Sequence, residues 1–587
     1  LPAQLFMLAI LLCVGWLLLT PSEYHDLGRL VAANAIFVAN IVLARDTGYF
    51  AAAAETKPLL HTWSLAVEEQ FYVFWPLLLL FCLKSRRLLV VTVIGGAVTS
   101  FLLACHFIMT KPSEVFYLLP TRAWELMMGG MAALGIVRAP PTLKGGHALG
   151  ALGLILIVAS AYLLDKTSPF PAWNALWPCA GALLVILSGV RHRSISCLLL
   201  SWKLLVWIGL ISYSLYLWHW PVLVLGGFIN NGRLTDATVL VLMLCTFVLA
   251  TLSWRYIEVP FRKRHETRNA VLLARYAGVC GLIFSLGFAL KSMDGVPSRV
   301  APDLSAVLKA AQDVNPLQQA CMIGFALRPP AFPTRDCVHG PIGAEPSVLI
   351  WGDSHANSIA PGVAAVVQAS GRSMYQATVN TCPPLLGVRS SVPGWNLTQC
   401  PEYNRLVLEG IKARPELRTV VLAARWSFYA ETSRFGEEQG RVVVLVDDET
   451  RTPGAADTKR VIRDALIRTI SELQAAGKAV VVVSQVPEVG VDVPSCVTRN
   501  AMQLSVKRPC QVSQREALER TAFIDTLVRS VHAPERRVCA VVPSAIICSE
   551  ATCRSVLSGK PIYVDDDHLT TAGAQWLMKQ MDFDACL

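Results

Sequence analysis

The chain has 587 residues, 53% of them hydrophobic and only 16% charged, with a net charge of +10. Soluble proteins carry about 25% charged residues, so an ordinary soluble enzyme is excluded. Much of the positive excess sits in short segments between apolar runs, which argues for a membrane-orientation signal and against nucleic-acid binding. Apolar runs dominate up to about residue 293, and an ordinary mixed sequence follows.

Crossing a bilayer takes about 20 predominantly apolar residues. Nine stretches fit: 1–19, 65–83, 88–109, 117–137, 148–164, 174–189, 205–228, 238–257 and 271–290. The shorter run Leu30–Ala44 is expected to be a surface or re-entrant segment. The first span starts without any preceding flank, which predicts that the natural N-terminus lies upstream. Basic residues fall in alternate loops: Lys84, Arg86 and Arg87; Arg138 and Lys144; Arg191 and Arg193; and Arg255, Arg262, Lys263, Arg264 and Arg268. Those loops are therefore expected on the cytoplasmic side, and the ninth span carries the rest of the chain out to the periplasm or exterior.

Cysteine usage agrees with that orientation. Of 17 cysteines, ten follow the last span (321, 337, 382, 400, 496, 510, 539, 548, 553 and 586). An even, dense set without CxxC or CxxH spacing predicts disulfides and no metal, with the pairing open.

Ionisable groups inside spans are costly and mark candidate functional positions. His61, Ser64 and Glu68 recur at helical spacing and share a face, with Glu69 and Tyr72 as a neighbouring pair. Arg122 and Glu125 form a second charged spot, where Arg122 either neutralises Glu68 or Glu69 or holds an anionic acyl donor. Tyr213, Tyr216, Trp218, His219 and Trp220 form a third, which also reads as an aromatic interface belt.

The strings HTWSLAVEEQFYVFWP (61–76), RAWELMMGG (122–130), ISYSLYLWHWPV (211–222) and RYIEVPFR (255–262) resemble the acyltransferase-3 family of integral membrane acyltransferases. The resemblance implies transfer of acyl groups, commonly acetyl, from a cytoplasmic donor such as acetyl-CoA to extracytoplasmic glycans. It also implies a first span bearing an arginine and a catalytic histidine, which none of the spans here matches.

In the second half, Ser347–Trp351 is a strand-like apolar run followed at once by Gly352-Asp353-Ser354-His355. A serine at the C-terminal end of a strand, leading into a helix, is placed like a nucleophile whose helix N-terminus can serve an oxyanion. Further strand-like runs (373–379, 419–424, 479–484, 538–542) alternate with helical patterns such as 459–476, which predicts a parallel-sheet α/β domain. Near the end stands Asp565-Asp566-Asp567-His568-Leu569. His568 can deprotonate Ser354, and Asp565 can orient the imidazole. The acidic run reads alternatively as a metal site or a solvated turn.

WGDSHA and DDDHLTTAGA resemble the SGNH domain fused to acyltransferase-3 proteins. The resemblance implies Ser354 as nucleophile, His568 as general base and Asp565 as its partner, on a three-layer, flavodoxin-like α/β fold. The oxyanion donors are less defined: the backbone N–H of Ser354, with Asn380 as a further candidate and Arg425-Trp426 as another guess. The expected organisation is a multi-span α-helical membrane domain over 1–293, an extension packed on the soluble domain over 294–346, and the SGNH domain over 347–587. The sequon Asn396-Leu397-Thr398 is read as chance.

The expected function is that of a bacterial inner-membrane O-acetyltransferase. Its donor would be acetyl-CoA and its acceptor a surface polysaccharide, O-antigen first and peptidoglycan second. A periplasmic glycan O-acetyl esterase and a non-catalytic glycan-binding or acyl-carrier protein are the alternatives.

Overall fold

The computed structural model describes the chain except residues 47–55, 83–84, 166–167, 231–233, 263–268, 325–331, 334, 342, 391–398, 439–441, 451–453, 503–506, 550 and 582. Lys84, Lys263, Arg264, Arg268 and the 396–398 sequon lie outside the described residues. The chain divides into two compact units, Leu1–Pro297 and Ser298–Leu587.

The first unit is helical. Among the described residues, seven helices are long and apolar enough to cross a membrane: Leu60–Cys82, Arg86–Phe107, Leu143–Leu163, Ala172–Gly189, Lys203–Ile229, Asp236–Arg262 and Val271–Ser292. Two of the nine expected spans are shorter. Residues 1–19 form the helix Pro2–Leu18, and 117–137 give only Leu119–Ala133. The reasons are local. Thr20 and Glu23 build a capping box that starts a new helix, Pro21–Ala35, directly after the first. Gly135, at φ +66°, ends Leu119–Ala133 by accepting a left-handed conformation. The N–H of Ile136 then closes back on the carbonyl of Met131.

Leu30–Ala44 is not a surface segment. It forms Pro21–Ala35 and Ala39–Arg45, with Leu27, Leu30, Val31 and Leu43 buried. Pro21–Ala35 packs on the helix Asn269–Ser292 at a pair of glycines. A Cβ on Gly287 would lie 2.6 Å from the carbonyl oxygen of Gly28, so only hydrogen allows that approach. Gly153 and Gly181 bring the helices Leu143–Leu163 and Ala172–Gly189 together in the same way, each added Cβ meeting the other's carbonyl oxygen within 3 Å. Lipid offers no hydrophobic drive for helix association, so such close backbone contact carries it.

The second unit is an α/β domain around one sheet. Its strands are β1 (Met322–Ile323), β2 (Val338–His339), β3 (Pro346–Gly352), β4 (Ser373–Val379), β6 (Thr419–Ala423), β8 (Ala479–Val483) and β9 (Val538–Val541). A small pair, β5 (Arg389–Ser390) and β7 (Leu445–Val446), lies apart from it. The order is β1-β4-β3-β6-β8-β9, all parallel, with β2 antiparallel on β4. Both faces of the sheet are covered. Leu349, Trp351, Val420, Leu422, Val480 and Val482 enter one core, while Val348, Ile350, Val421, Ala423, Val481 and Val483 enter the other. This is the period of two expected of strands buried on both sides, and it makes the domain three-layered. Residues 298–346 supply β1 and β2, so this extension is part of the sheet itself.

All ten cysteines of this unit are paired: 321–337, 382–400, 496–510, 539–586 and 548–553. The chain leaves β3 for β4 on one side and later continues through β6, β8 and β9 on the other. The carboxyl end of β3 therefore borders the switch point where open parallel sheets bind ligands.

Candidate active site

β3 ends at Gly352 because the chain must turn sharply beside β6. A Cβ there would strike the carbonyl of Ala423. Asp353 caps the helix Ser354–Ala369, its Oδ1 accepting the His355 N–H at 2.9 Å. Its Oδ2 accepts the Arg425 N–H at 3.0 Å and the Tyr429 hydroxyl at 2.8 Å, which ties the turn to the loop after β6. Ser354 is thereby fixed at a helix N-terminus, where the first N–H groups lack intrahelical acceptors. Gly352→Ala is expected to push β3 from β6 and to reduce any Ser354-dependent turnover at least about tenfold, which a rate assay beside a melting curve would read.

His568 arrives from a tight turn. The Val564 N–H donates to the His568 carbonyl at 2.9 Å. Asp565 Oδ1 accepts the N–H groups of Asp567 (3.0 Å) and His568 (2.7 Å). The loop after β8 clamps the turn through the N–H groups of Val489 and Val493, which donate to the carbonyls of Asp566 and Asp565. In this frame His568 Nε2 lies 2.9 Å from Ser354 Oγ. Nδ1 lies 2.8 Å from Asp565 Oδ2 and 2.6 Å from Asp567 Oδ1. Ser354, Asp565 and His568 are thus brought together.

Behind this group is a buried ionic chain that sequence reasoning missed. Arg425 meets Glu438 through both terminal nitrogens, Glu488 through Nε at 2.7 Å, and Asp567 Oδ2 at 2.7 Å. Glu488 also meets Arg520 at 2.5 Å. Burial, the largest single influence, pushes the carboxyls of Glu488 and Asp567 up, but it is outweighed by Arg425 together with Arg520 at Glu488 and with His568 and His355 at Asp567. Both end below the usual range. Asp566 goes the other way, raised by burial and then by Asp567, Asp565 and Glu438.

The sign of the pH dependence follows. A depressed carboxyl stabilises the fold above its ordinary value, 4.5 for Glu488 and 3.8 for Asp567, and that stability is lost as pH falls through the lower folded value. Asp566 is costly when ionised, and its protonation above 3.8 relieves that cost. The denaturant midpoint is therefore expected to drop as pH falls below about 4.5, the loss at Glu488 and Asp567 being offset in part by Asp566, which gains from protonation at higher pH.

His355, next to the nucleophile, is also buried. Its ring centre is 4.6 Å from that of His568, and its Nε2 is 3.5 Å from Asp567 Oδ2. His355, Asp567 and His568 are close enough to hold a cation, but Asp567 is already engaged by Arg425. Asn380 follows directly on β4, two residues beyond Thr378, the rung partner of Gly352. Its N–H donates to the Ile323 carbonyl at 3.1 Å, and its Oδ1 has no partner among the described residues. Trp426 faces inward, its indole N–H donating to Val483.

The helical unit gathers its candidates into separate groups. The ring of buried His61 lies 5.3 Å from those of His219 and Tyr216. The Tyr216 hydroxyl donates to the His61 carbonyl and also meets Ser64 Oγ. Tyr72 hydrogen-bonds Glu68, one turn away. Arg122 pairs with Glu125 at 3.3 Å on its own helix, and not with Glu68 or Glu69. The Arg122 guanidinium lies 5.0 to 5.6 Å from the ring centres of Trp63, Phe116 and Phe170.

Residues 1–257 match the family model of an acyltransferase domain, and residues 320–583 match that of the SGNH domain fused to AT3 domains. The chain is an AT3–SGNH fusion. It is 32% identical over 286 residues to the provisionally named peptidoglycan O-acetyltransferase YrhL of Bacillus subtilis, covering 45% of this chain and 44% of that protein. It is 29% identical over 282 residues to O-acetyltransferase OatA of Staphylococcus aureus, covering 45% of this chain and 46% of that one. The chain thus spans less than half the length of either relative. Among solved structures, the periplasmic domain of a lipopolysaccharide acetyltransferase from Salmonella ser. Paratyphi A matches at 19% identity and a TM-score of 0.32, over 42% of this chain and 86% of that one.

Proposed function

We propose that the chain is a membrane-bound O-acetyltransferase of a bacterial inner membrane, its SGNH domain periplasmic and its acceptor a surface glycan. The observation that carries this reading is the contact of Ser354 Oγ with His568 Nε2 at 2.9 Å, at the mouth of a parallel sheet. Ser354 attacks the acyl carbonyl carbon while its proton passes to Nε2. The leaving group departs with that proton and leaves an ester on Oγ. A sugar hydroxyl then attacks the ester, gives its proton to Nε2, and Ser354 recovers the proton as the O-acetyl sugar leaves. The Ser354 N–H serves the oxyanion, with Asn380 the candidate second donor.

The acyltransferase domain supplies the argument for transfer over hydrolysis, because an esterase with the same triad needs no acyl donor. Acetyl-CoA is the donor this reading assigns. O-antigen is the first acceptor to test and peptidoglycan the second, the latter drawing weight from the names of the relatives. The test offers the full-length protein, in membranes, acetyl-CoA with each glycan. Acetyl appearing on sugar hydroxyls supports the reading. Acetyl released only to water, whichever glycan is present, overturns it in favour of the esterase.

A further inference from the structure

We propose that Asp313 and Asn315, on the extension that precedes the sheet, are positioning residues for acyl transfer. They tie the nucleophile helix Ser354–Ala369 to the helix that follows His568, and so keep Ser354 Oγ within reach of His568 Nε2. This rests on the reading of Ser354 and His568 as nucleophile and base.

A helix leaves its first N–H groups without intrahelical acceptors. In Thr571–Gln580, which starts three residues after His568, Thr570 Oγ1 takes the Gly573 N–H at 2.9 Å. The two N–H groups before it go to a single residue of the extension. Thr571 donates to the Asp313 carbonyl at 2.8 Å, and Ala572 donates to Asp313 Oδ2 at 2.9 Å. Two residues along, Asn315 is 4% exposed and reaches the other helix. Its Nδ2 lies 2.9 Å from the carbonyl oxygen of Asn357, from Asn357 Oδ1 and from Gln376 Oε1 on β4. Asn357 sits in the first turn of Ser354–Ala369, and its own N–H donates to the Asp353 carbonyl at 3.1 Å. The segment Asp313–Asn315 therefore grips the N-terminal ends of both helices, the ends that carry Ser354 and follow His568.

The other contacts act elsewhere. The two helices also meet where a Cβ on Gly362 would lie 2.3 Å from the Ala574 carbonyl oxygen, eight residues beyond Ser354. Eight helical residues span about 12 Å, so a splay of about 5° about that contact moves Ser354 by about 1 Å. Arg425 and the loop after β8 hold the catalytic turns from the β6 and β8 side. Asp313 and Asn315 hold them from the β4 side. A misplacement of about 1 Å is enough to cost about 10²-fold in rate.

The experiment measures p-nitrophenyl acetate turnover by the full-length protein in membranes, well below the melting temperature of each variant. Asn315→Ala is expected to lower kcat about 10- to 100-fold and Asp313→Ala about tenfold, each with KM nearly unchanged. Asp313→Asn, which keeps an acceptor for the Ala572 N–H, should restore most of kcat. A merely structural role predicts a lower melting temperature with kcat per folded protein unchanged, and that result in Asp313→Ala overturns the inference. Asp313→Asn as slow as Asp313→Ala overturns it too. Asp313 is only half-buried, so its variants stay readable if Asn315→Ala fails to fold. His568→Ala separates the two levels: turnover that survives it overturns the reading of the site. Its loss beside a wild-type kcat in both Asp313→Ala and Asn315→Ala overturns this inference alone.

Discussion

Replacing Arg425 with methionine is expected to cost the SGNH domain about 3–5 kcal/mol, the range seen when one partner is removed from a buried ionic group. The side chain is 4% exposed and serves Glu438, Glu488 and Asp567 at once. Without it, Glu488 keeps Arg520, and Glu438 keeps Arg434. Asp567 is left with the two histidines. Arg425→Lys should recover little, because one ammonium cannot reproduce a fork that reaches Glu488 through Nε and Glu438 through both terminal nitrogens. The check is a denaturant titration of both variants at neutral pH. The acid-induced drop should also become shallower in Arg425→Met, since part of what acid removes is already gone.

Ser354→Ala is expected to abolish acyl transfer, by at least about a thousandfold, while leaving the fold intact. The hydroxyl is buried, and its described partner is His568 Nε2. Its removal leaves that nitrogen unpaired, at a cost of no more than about 1–3 kcal/mol. The pairing of a small stability change with a large rate change distinguishes a nucleophile from a structural serine. Melting curves and glycan acetylation, measured on the same preparation, read both quantities.

The parts of this molecule that were legible in its sequence are those fixed by local pattern. The apolar run Ser347–Trp351 followed by Gly352-Asp353-Ser354 announces a strand turning into a helix. The three-residue spacing from Asp565 to His568 announces a turn that can hold an imidazole. Seven membrane helices follow from hydropathy alone, and ten cysteines without metal spacing announce disulfides. What was hidden depends on distant partners. β1 and β2 are two residues each and exist only because β4 offers them an edge. The run Leu30–Ala44 is short and so read as a surface or re-entrant segment, whereas its first part belongs to the helix Pro21–Ala35, held by a glycine contact with a helix some 250 residues away. Arg122 chose Glu125 over Glu68 and Glu69 because its own helix already supplied a carboxylate. The Arg425–Glu488–Arg520 chain is assembled from three separate elements, and no spacing announces it. Its one sequence trace is the pair of further aspartates beside His568, which a search for one triad partner passes over.

The central claim is that an acyl group passes through Ser354, and the most direct measurement follows it there. The full-length protein in membranes is given isotopically labelled acetyl donor, quenched, and the peptide containing Ser354 is weighed with and without glycan. The account predicts a labelled acetyl ester on Ser354 that disappears when glycan is added, as the same label appears on sugar hydroxyls. Glycan that acquires label at an undiminished rate while Ser354 stays unmodified, in the wild type and in Ser354→Ala alike, would contradict it.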